Sequence, residues 1–146
     1  MTTLSLNQAS RIIDAGLEHA RKIQFKPLTI VVLDAGGHLV AMKREDGSGI
    51  LRPDIAQAKA WGALGMGAGT RALAKRAEHA PGFYAALAST SNGRMLPVPG
   101  GVLIRNDSNQ VIGAVGVSGD LPDNDEACAV QGIREASLTA DAGADS

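Results

Sequence analysis

"LTIVVLDAGGHLVAMKR", residues 28–44, contains two runs of apolar and β-branched residues on either side of Asp34-Ala35-Gly36-Gly37. Aspartate and glycine are the residues that tight turns favour, so this stretch predicts a β-hairpin. We expect Thr29–Asp34 to pair antiparallel with His38–Lys43.

A second hairpin is predicted in "PVPGGVLIRNDSNQVIGAVGVSGD", residues 97–120, where Val102–Arg105 and Val111–Val117 flank the turn Asn106–Asn109. Consecutive hairpins favour an antiparallel sheet covered by helices, whereas crossover βαβ units would favour a parallel one. The apolar periodicity and the capping residues between and around the hairpins predict five helices. They are expected near residues 6–23, 53–66, 70–78, 81–88 and 123–140, in an α+β fold that has room for a fifth short strand.

Composition narrows the function classes. The 146 residues are expected to form one domain, 1–146, and 14 basic residues nearly cancel 15 acidic ones, which argues against nucleic acid or an anionic membrane as partner. Cys128 is the only cysteine, so neither a disulfide framework nor a thiolate metal site is predicted, and a cytoplasmic location is the default. Because aromatic residues make up only 3% of the chain, we expect association into a dimer or larger homo-oligomer to add buried surface.

The glycines of the second hairpin do not form a phosphate-binding motif. Gly113, Gly116 and Gly119 have the spacing G-x-x-G-x-x-G, which fits neither the dinucleotide fingerprint nor a P-loop. Small residues of this kind are typical of a strand that passes beneath a helix. Gly100 and Gly101 are expected to let backbone approach a pocket, and Asp120 to close its rim.

Polar residues form three groups, each with two interpretations. "KREDGSGILR", residues 43–52, is a solvated turn or a ligand-binding loop that contains Arg44, Glu45 and Asp46. Lys59 lies among small and apolar helix neighbours, so its amine either reaches solvent or is held by a ligand or a buried carboxylate. On the ligand hypothesis, Lys59→Met weakens binding and hardly affects folding.

The third group is acidic and lies at the start of the last helix: Asp120, Asp123, Asp125 and Glu126. Capping and dipole complementarity explain it better than a metal site, because regular calcium-loop spacing is missing. No metal site is therefore predicted. The histidines, His19, His38 and His79, are too dispersed for a linear metal motif.

Several separated motifs together resemble one family. "VVLDAGGHLVAMKREDGS", "IAQAKAWGALGMG", "PVPGGVLI" and "VIGAVGVSGDLPDNDEACA" are similar to the GlcG/HbpS family, which includes haem-binding proteins and the C-terminal domain of PduO-type adenosyltransferases. The resemblance covers roughly residues 4–140. It implies a profilin-like α/β/α fold with a five-stranded antiparallel sheet between helices, a symmetric oligomer built from dimers, and haem or small-molecule binding in some members.

The chain also departs from the family pattern. Members often have Arg-Met-Asp-Gly-Ala where this chain has residues 44–48, Arg-Glu-Asp-Gly-Ser. They often carry threonine and arginine where it has Trp61 and Gly62, and a proline where it has Leu103. The more polar loop suits a small carboxylated ligand at least as well as haem.

Two functions are therefore predicted as alternatives. The first is a haem or small-molecule binding protein with its pocket at or near a subunit interface and His19 as the candidate axial ligand. The second is a cofactor-independent hydrolase or isomerase of a carboxylated catabolic intermediate. In that enzyme Arg44 and Lys59 hold the carboxylate, and Glu45 or Asp46 is the general base. In both, Gly100, Gly101 and Asp120 contribute to the pocket wall.

Overall fold

The computed structural model describes residues 3–143, which form five helices and one five-stranded sheet. The chain begins with helix α1, Leu6–Lys22, and the hairpin of β1, Thr29–Asp34, and β2, Leu39–Arg44. Three helices follow: α2, Arg52–Met66; α3, Thr70–His79; and α4, Pro81–Thr90. The second hairpin comprises β3, Gly101–Arg105, and β4, Val111–Ser118, and the chain continues through α5, Pro122–Glu135, to β5, Thr139–Asp141.

Both predicted hairpins are confirmed. The strand order is β2-β1-β4-β3-β5, and every neighbouring pair is antiparallel. In the first turn, the Asp34 carboxylate accepts hydrogen bonds from the backbone N–H groups of His38 (3.0 Å) and Gly36 (2.9 Å), which lower its pKa. The turn residues therefore set the hairpin locally, as the sequence indicates.

Helices cover both faces of the sheet, in the profilin-like arrangement of layers. Helices α1 and α5 pack on the face that carries Ile30, Val32, Val115 and Val117, where the larger apolar cluster lies. Helix α2 packs on the opposite face, against Val31, Leu33, Leu103 and Ala114. Successive side chains of a strand point to opposite faces of the sheet, so Ile30 and Val32 belong to one apolar cluster and Val31 and Leu33 to the other. No helix among residues 3–143 is long and apolar enough to cross a membrane.

The last helix is shorter than predicted. It ends at Glu135 and not near residue 140, because Ser137 adopts a left-handed conformation (φ 61°) and turns the chain back. Residues 139–141 then pair with β3 as the short fifth strand, Leu103 facing Asp141. A serine is an uncommon residue for this conformation, which is why the apolar pattern alone does not indicate the end of the helix.

Helix α2 lies unusually close to the sheet at two glycines. A Cβ atom added at Gly116 would lie 1.8 Å from the carbonyl oxygen of Ala56, and one added at Gly101 would lie 2.4 Å from that of Lys59. Neither position has room for a side chain. Gly116 therefore serves helix–sheet packing, as the spacing of Gly113, Gly116 and Gly119 indicates. Gly101 allows the same close approach of α2 to the sheet.

Candidate functional site

The loop after β2 forms one wall of an open cleft of about 530 Å3. Arg44, Glu45 and Asp46, three of the predicted site residues, all line it. The other lining residues come from α1, from the segment before β1 and from β2: Leu17, Arg21, Pro27 and Lys43. The cleft therefore joins apolar surface to side chains of both charges.

Within this cleft the two acidic residues differ in how they are held. One Glu45 carboxylate oxygen accepts the backbone N–H of Leu28 (2.7 Å), and the other pairs with the Arg21 guanidinium (3.0 Å). Asp46 is exposed at the loop surface. Arg44 donates a hydrogen bond to the backbone oxygen of Ser48 (3.1 Å), which ties the loop to the end of β2. Asp46 is thus the more accessible of the two candidate bases.

Lys59 lies outside this cleft, in the interior. Its side chain is only 3% exposed, and its amine donates to the backbone oxygen of Val117 (2.9 Å) and to the carboxylate of Asp125 (3.2 Å), which is 1% exposed. The sequence leaves open whether the Lys59 amine reaches solvent or is held by a ligand or a buried carboxylate. In the structure it is held by a buried carboxylate, that of Asp125. Burial lowers the pKa of Lys59 and raises the pKa of Asp125, while each partner's charge opposes the shift of the other.

Gly100 makes room for this ion pair. A Cβ atom at Gly100, where φ is +127°, would lie 2.8 Å from the Lys59 amine and 2.8 Å from the Val117 oxygen. With Gly101 beneath the Lys59 carbonyl, the Gly-Gly pair lets α2 and its lysine pass over the start of β3. The structure thus brings Lys59, Gly100 and Gly101 together around a carboxylate of the protein itself.

Asp120 lies at the end of the same network. Its backbone N–H donates to the Asp125 carboxylate (2.9 Å), and its own carboxylate accepts from the backbone of Lys26 (2.7 Å), from the backbone of Leu121 (2.7 Å) and from the Asn124 amide (2.8 Å). The bond from Lys26 is the largest cause of a lowered pKa of Asp120. Direct ligand contact by Lys59, Gly100, Gly101 and Asp120 stays a prediction.

Sequence reasoning missed the role of Asp125. The sequence places this residue in the acidic start of the last helix, where capping accounts for all four carboxylates. The buried positions of α5, however, are Asp125, Cys128, Ala129, Gly132 and Ile133. A carboxylate on this apolar stripe signals a buried cation as partner. The other two acids of the group, Asp123 and Glu126, pair with Arg71 of α3.

His19 lies in the last turn of α1, and within the described chain it is not part of the cleft lined by Arg44. Its ring is partly exposed and stands edge-to-face against Phe25, with 6.5 Å between the ring centroids. The predicted site residues therefore occupy three places: the cleft, the buried ion pair with its rim, and the end of α1.

Comparison with known proteins gives the family. Residues 4–134 match the model of the "Haem degrading protein HbpS-like" family. The chain belongs to the HbpS-like family. Protein GlcG of Escherichia coli K12 is 37% identical over 123 residues, 79% of this chain and 81% of that protein.

Solved structures of the HbpS-like family agree with the fold. The crystal structure of a PduOC:heme complex has a TM-score of 0.83 at 26% identity and covers 93% of this chain and 96% of that one. HbpS of Streptomyces reticuli, solved as a double mutant, has a TM-score of 0.79 at 29% identity, and the match covers 92% of this chain and 87% of that one. The resemblance inferred from the sequence motifs is thereby confirmed.

Proposed function

We propose that this HbpS-like protein binds haem, or a related planar anion, with His19 as the axial ligand. One observation carries the proposal: the chain matches PduOC, solved as a haem complex, over 93% of its length, and has a partly exposed imidazole at the end of α1. Imidazole is a common protein ligand of haem iron. Bound haem would supply a redox-active iron centre.

The surroundings of His19 fit a planar anion. Lys22 follows one helical turn after His19 and is exposed, so its ammonium can reach the same side of the helix end as the imidazole. Lys26, also exposed, comes soon after in the chain. The Phe25 ring, edge-on to His19, restricts the orientation of the imidazole. His19 would hold the iron, and the two lysines would neutralise the propionates.

Hemin titration followed by absorbance tests this proposal. We expect a saturable Soret shift in the wild type that is lost in His19→Ala, with an unchanged far-ultraviolet circular dichroism spectrum. His79→Ala is the matched control, because His79 is also near the end of a helix and is exposed. A wild type without a Soret shift, or a His19→Ala variant that binds as well as wild type, would reject the axial role.

A cofactor-independent hydrolase or isomerase is the second candidate, and the exposure of Asp46 in the cleft favours it. Arg44 would bind the substrate carboxylate there, and Asp46 would take a proton, because both oxygens of Glu45 already have partners. Asp46→Asn should then lower kcat at least about a hundredfold. Any activity that Asp46→Asn leaves intact does not use this base.

We also infer that the protein forms at least a dimer and that its ligand pocket lies at or near the contact. Support comes from large apolar side chains at the surface, on the edge strand β2 and in the loop before α2. Among them, Leu39 is 52% exposed, Met42 42%, Ile50 90% and Leu51 61%. Apolar groups of this size at a sheet edge are typical of a surface that another chain covers.

A further inference from the structure

A second pocket, of about 470 Å3, lies on the outer face of α2. Four of its lining residues, Asp54, Gln57, Ala58 and Trp61, recur at helical spacing, and Gly93 and Arg94 close it from the loop after α4. Its volume is within the range of small-molecule sites. No residue of this pocket belongs to the cleft around Arg44.

The guanidinium of Arg94 is held in a fixed position in this pocket. Its central carbon lies 4.1 Å from the centroid of the Trp61 ring, and its Nε donates to the backbone oxygen of Ser91 (2.8 Å). Within residues 3–143, its two terminal nitrogens have no protein acceptor. A stacked guanidinium with a free fork is the geometry that binds a carboxylate through two parallel hydrogen bonds.

Trp61 is itself fixed between two turns of the chain. The Arg94 guanidinium stacks on one face of the Trp61 ring. The edge of the ring packs against the turn of the first hairpin, where a Cβ atom added at Gly37 would lie 3.0 Å from the indole nitrogen. Since Gly37 also has φ +83°, that turn cannot accept a larger residue without strain. The ring is therefore a rigid platform, and the guanidinium fork is preorganised before any ligand binds.

The opposite end of the pocket is acidic. Asp54 precedes Trp61 by two helical turns, roughly 10 Å along the axis, and the Gln57 amide lies between them. In the described part of the chain, neither the Asp54 nor the Gln57 side chain forms a hydrogen bond or ion pair with another residue. The pocket thus has an unpaired cation at one end and an unpaired carboxylate at the other.

We propose that this pocket is a binding site for a linear small molecule with a carboxylate at one end and an ammonium group at the other. Arg94 binds the carboxylate, the ligand chain lies along Ala58 and the edge of Trp61, and Asp54 accepts from the ammonium. This site is separate from the proposed haem ligand and does not depend on it.

Fluorescence of Trp61 tests the proposal directly, because the chain contains a single tryptophan. The probe is 6-aminohexanoate, compared with hexanoate, which lacks the ammonium, and hexylammonium, which lacks the carboxylate. We expect a saturable change with a Kd of about 10 mM or lower for 6-aminohexanoate. Each single-ended probe should bind at least about tenfold more weakly, because it lacks at least one charge-assisted hydrogen bond.

Three variants separate this site from a non-specific effect. Arg94→Gln should remove 6-aminohexanoate binding measured by calorimetry, and Asp54→Asn should weaken it to the level of hexanoate. Arg76→Gln, an exposed arginine of α3, is the matched control and should bind like wild type. All three side chains are exposed, so circular dichroism should be unchanged. Hemin titration of Arg94→Gln should match wild type, whether or not wild type binds hemin.

Four outcomes would overturn the proposal. The first is no saturable signal up to about 50 mM probe, and the second is equal affinity for the three probes. The third is unchanged binding by Arg94→Gln. The fourth is a lower assembly mass of Arg94→Gln by light scattering together with no probe binding, which would make the pocket a contact between copies of the chain.

Discussion

Replacing Lys59 by methionine would leave a carboxylate in the interior without its cation. The substitution keeps most of the side-chain bulk but removes two hydrogen bonds, to the Val117 oxygen and to the Asp125 carboxylate. Among residues 3–143, the Asp125 carboxylate, 1% exposed, would then retain only the N–H of Asp120 as a donor. A buried charge with one donor is poorly compensated. The structure thus leads to the opposite expectation from the ligand hypothesis for Lys59→Met, namely a large effect on folding.

The loss of stability in Lys59→Met can be estimated, because Lys59 and Asp125 form a buried ion pair. Removing one partner of a buried ion pair costs about 3–5 kcal/mol of unfolding free energy, because the other charge stays buried. For a chain of this length the melting temperature should fall by roughly 6–20 °C. Removing both charges costs less: Lys59→Met with Asp125→Asn should recover about 2 kcal/mol relative to Lys59→Met alone.

Urea unfolding followed by circular dichroism at pH 7 and at fixed protein concentration measures these differences. Lys75→Met is the matched control, because Lys75 is an exposed lysine of α3, and it should change the unfolding free energy by less than about 0.5 kcal/mol. A loss below about 1 kcal/mol in Lys59→Met, or a double variant that is no more stable than Lys59→Met, would refute the reasoning.

The loss of unfolding free energy in Lys59→Met should also depend on pH. Burial raises the pKa of Asp125 above its usual value of 3.8, and removing the Lys59 ammonium, which lowers it, raises it further. A carboxyl with a raised folded-state pKa destabilises the fold above that pKa and not below the unfolded value. The difference between Lys59→Met and wild type should therefore narrow as the pH falls from about 7 towards about 4. A constant difference across this range would mean that Asp125 is not the charged group responsible.

Three further predictions use other features of the fold. Gly116→Ala should destabilise the protein by at least about 2 kcal/mol, since its Cβ would lie 1.8 Å from the Ala56 oxygen, whereas Gly82→Ala, which meets nothing within 4 Å, should be neutral or stabilising in urea unfolding. Burial raises the pKa of Cys128 to about 12, so iodoacetamide at pH 8 should modify urea-unfolded protein and leave the native thiol unmodified over the same time. Light scattering at micromolar concentration should give a mass of at least twice the 15.0 kDa chain, and a monomer mass would reject the proposed assembly.

Local features could be predicted from the sequence, and contacts between distant residues could not. The turn at Asp34 forms as expected, and it involves residues a few positions apart. The start of α1 is equally local: the Ser5 side chain accepts from the backbone of Gln8, and the Gln8 side chain accepts from the backbone of Ser5. The partner of Lys59 is Asp125, 66 positions away, and nothing local distinguishes that carboxylate from its acidic neighbours. Proximity between such residues depends on how α2 and α5 pack, and no spacing rule encodes that packing.

The same limit explains the divided site. Arg44 is at the end of a predicted strand and Lys59 is on a predicted helix, and each is close to glycines in the sequence. The sequence therefore predicts that the two side chains share one pocket. In the structure Arg44 lines a surface cleft and Lys59 lies in the interior. The pocket around Trp61 and Arg94 could not be predicted from the sequence, because Trp61 lies on α2 and Arg94 in the loop after α4, and these segments come into contact only in the folded chain.

The order of strands has a consequence for synthesis of the chain on the ribosome. Strand β1 lies inside the sheet between β2 and β4, but β4 follows in sequence only after three helices and β3. Thr29 therefore pairs with Ser118 only when most of the chain has emerged. Until then the growing polypeptide has a hairpin whose inner strand, TIVVLD, has apolar side chains and an edge of unpaired backbone N–H and C=O groups. Such an edge can pair with another nascent chain. The early hairpin is therefore the segment that needs protection until β4 is synthesised, and a slower translation rate would prolong its exposure.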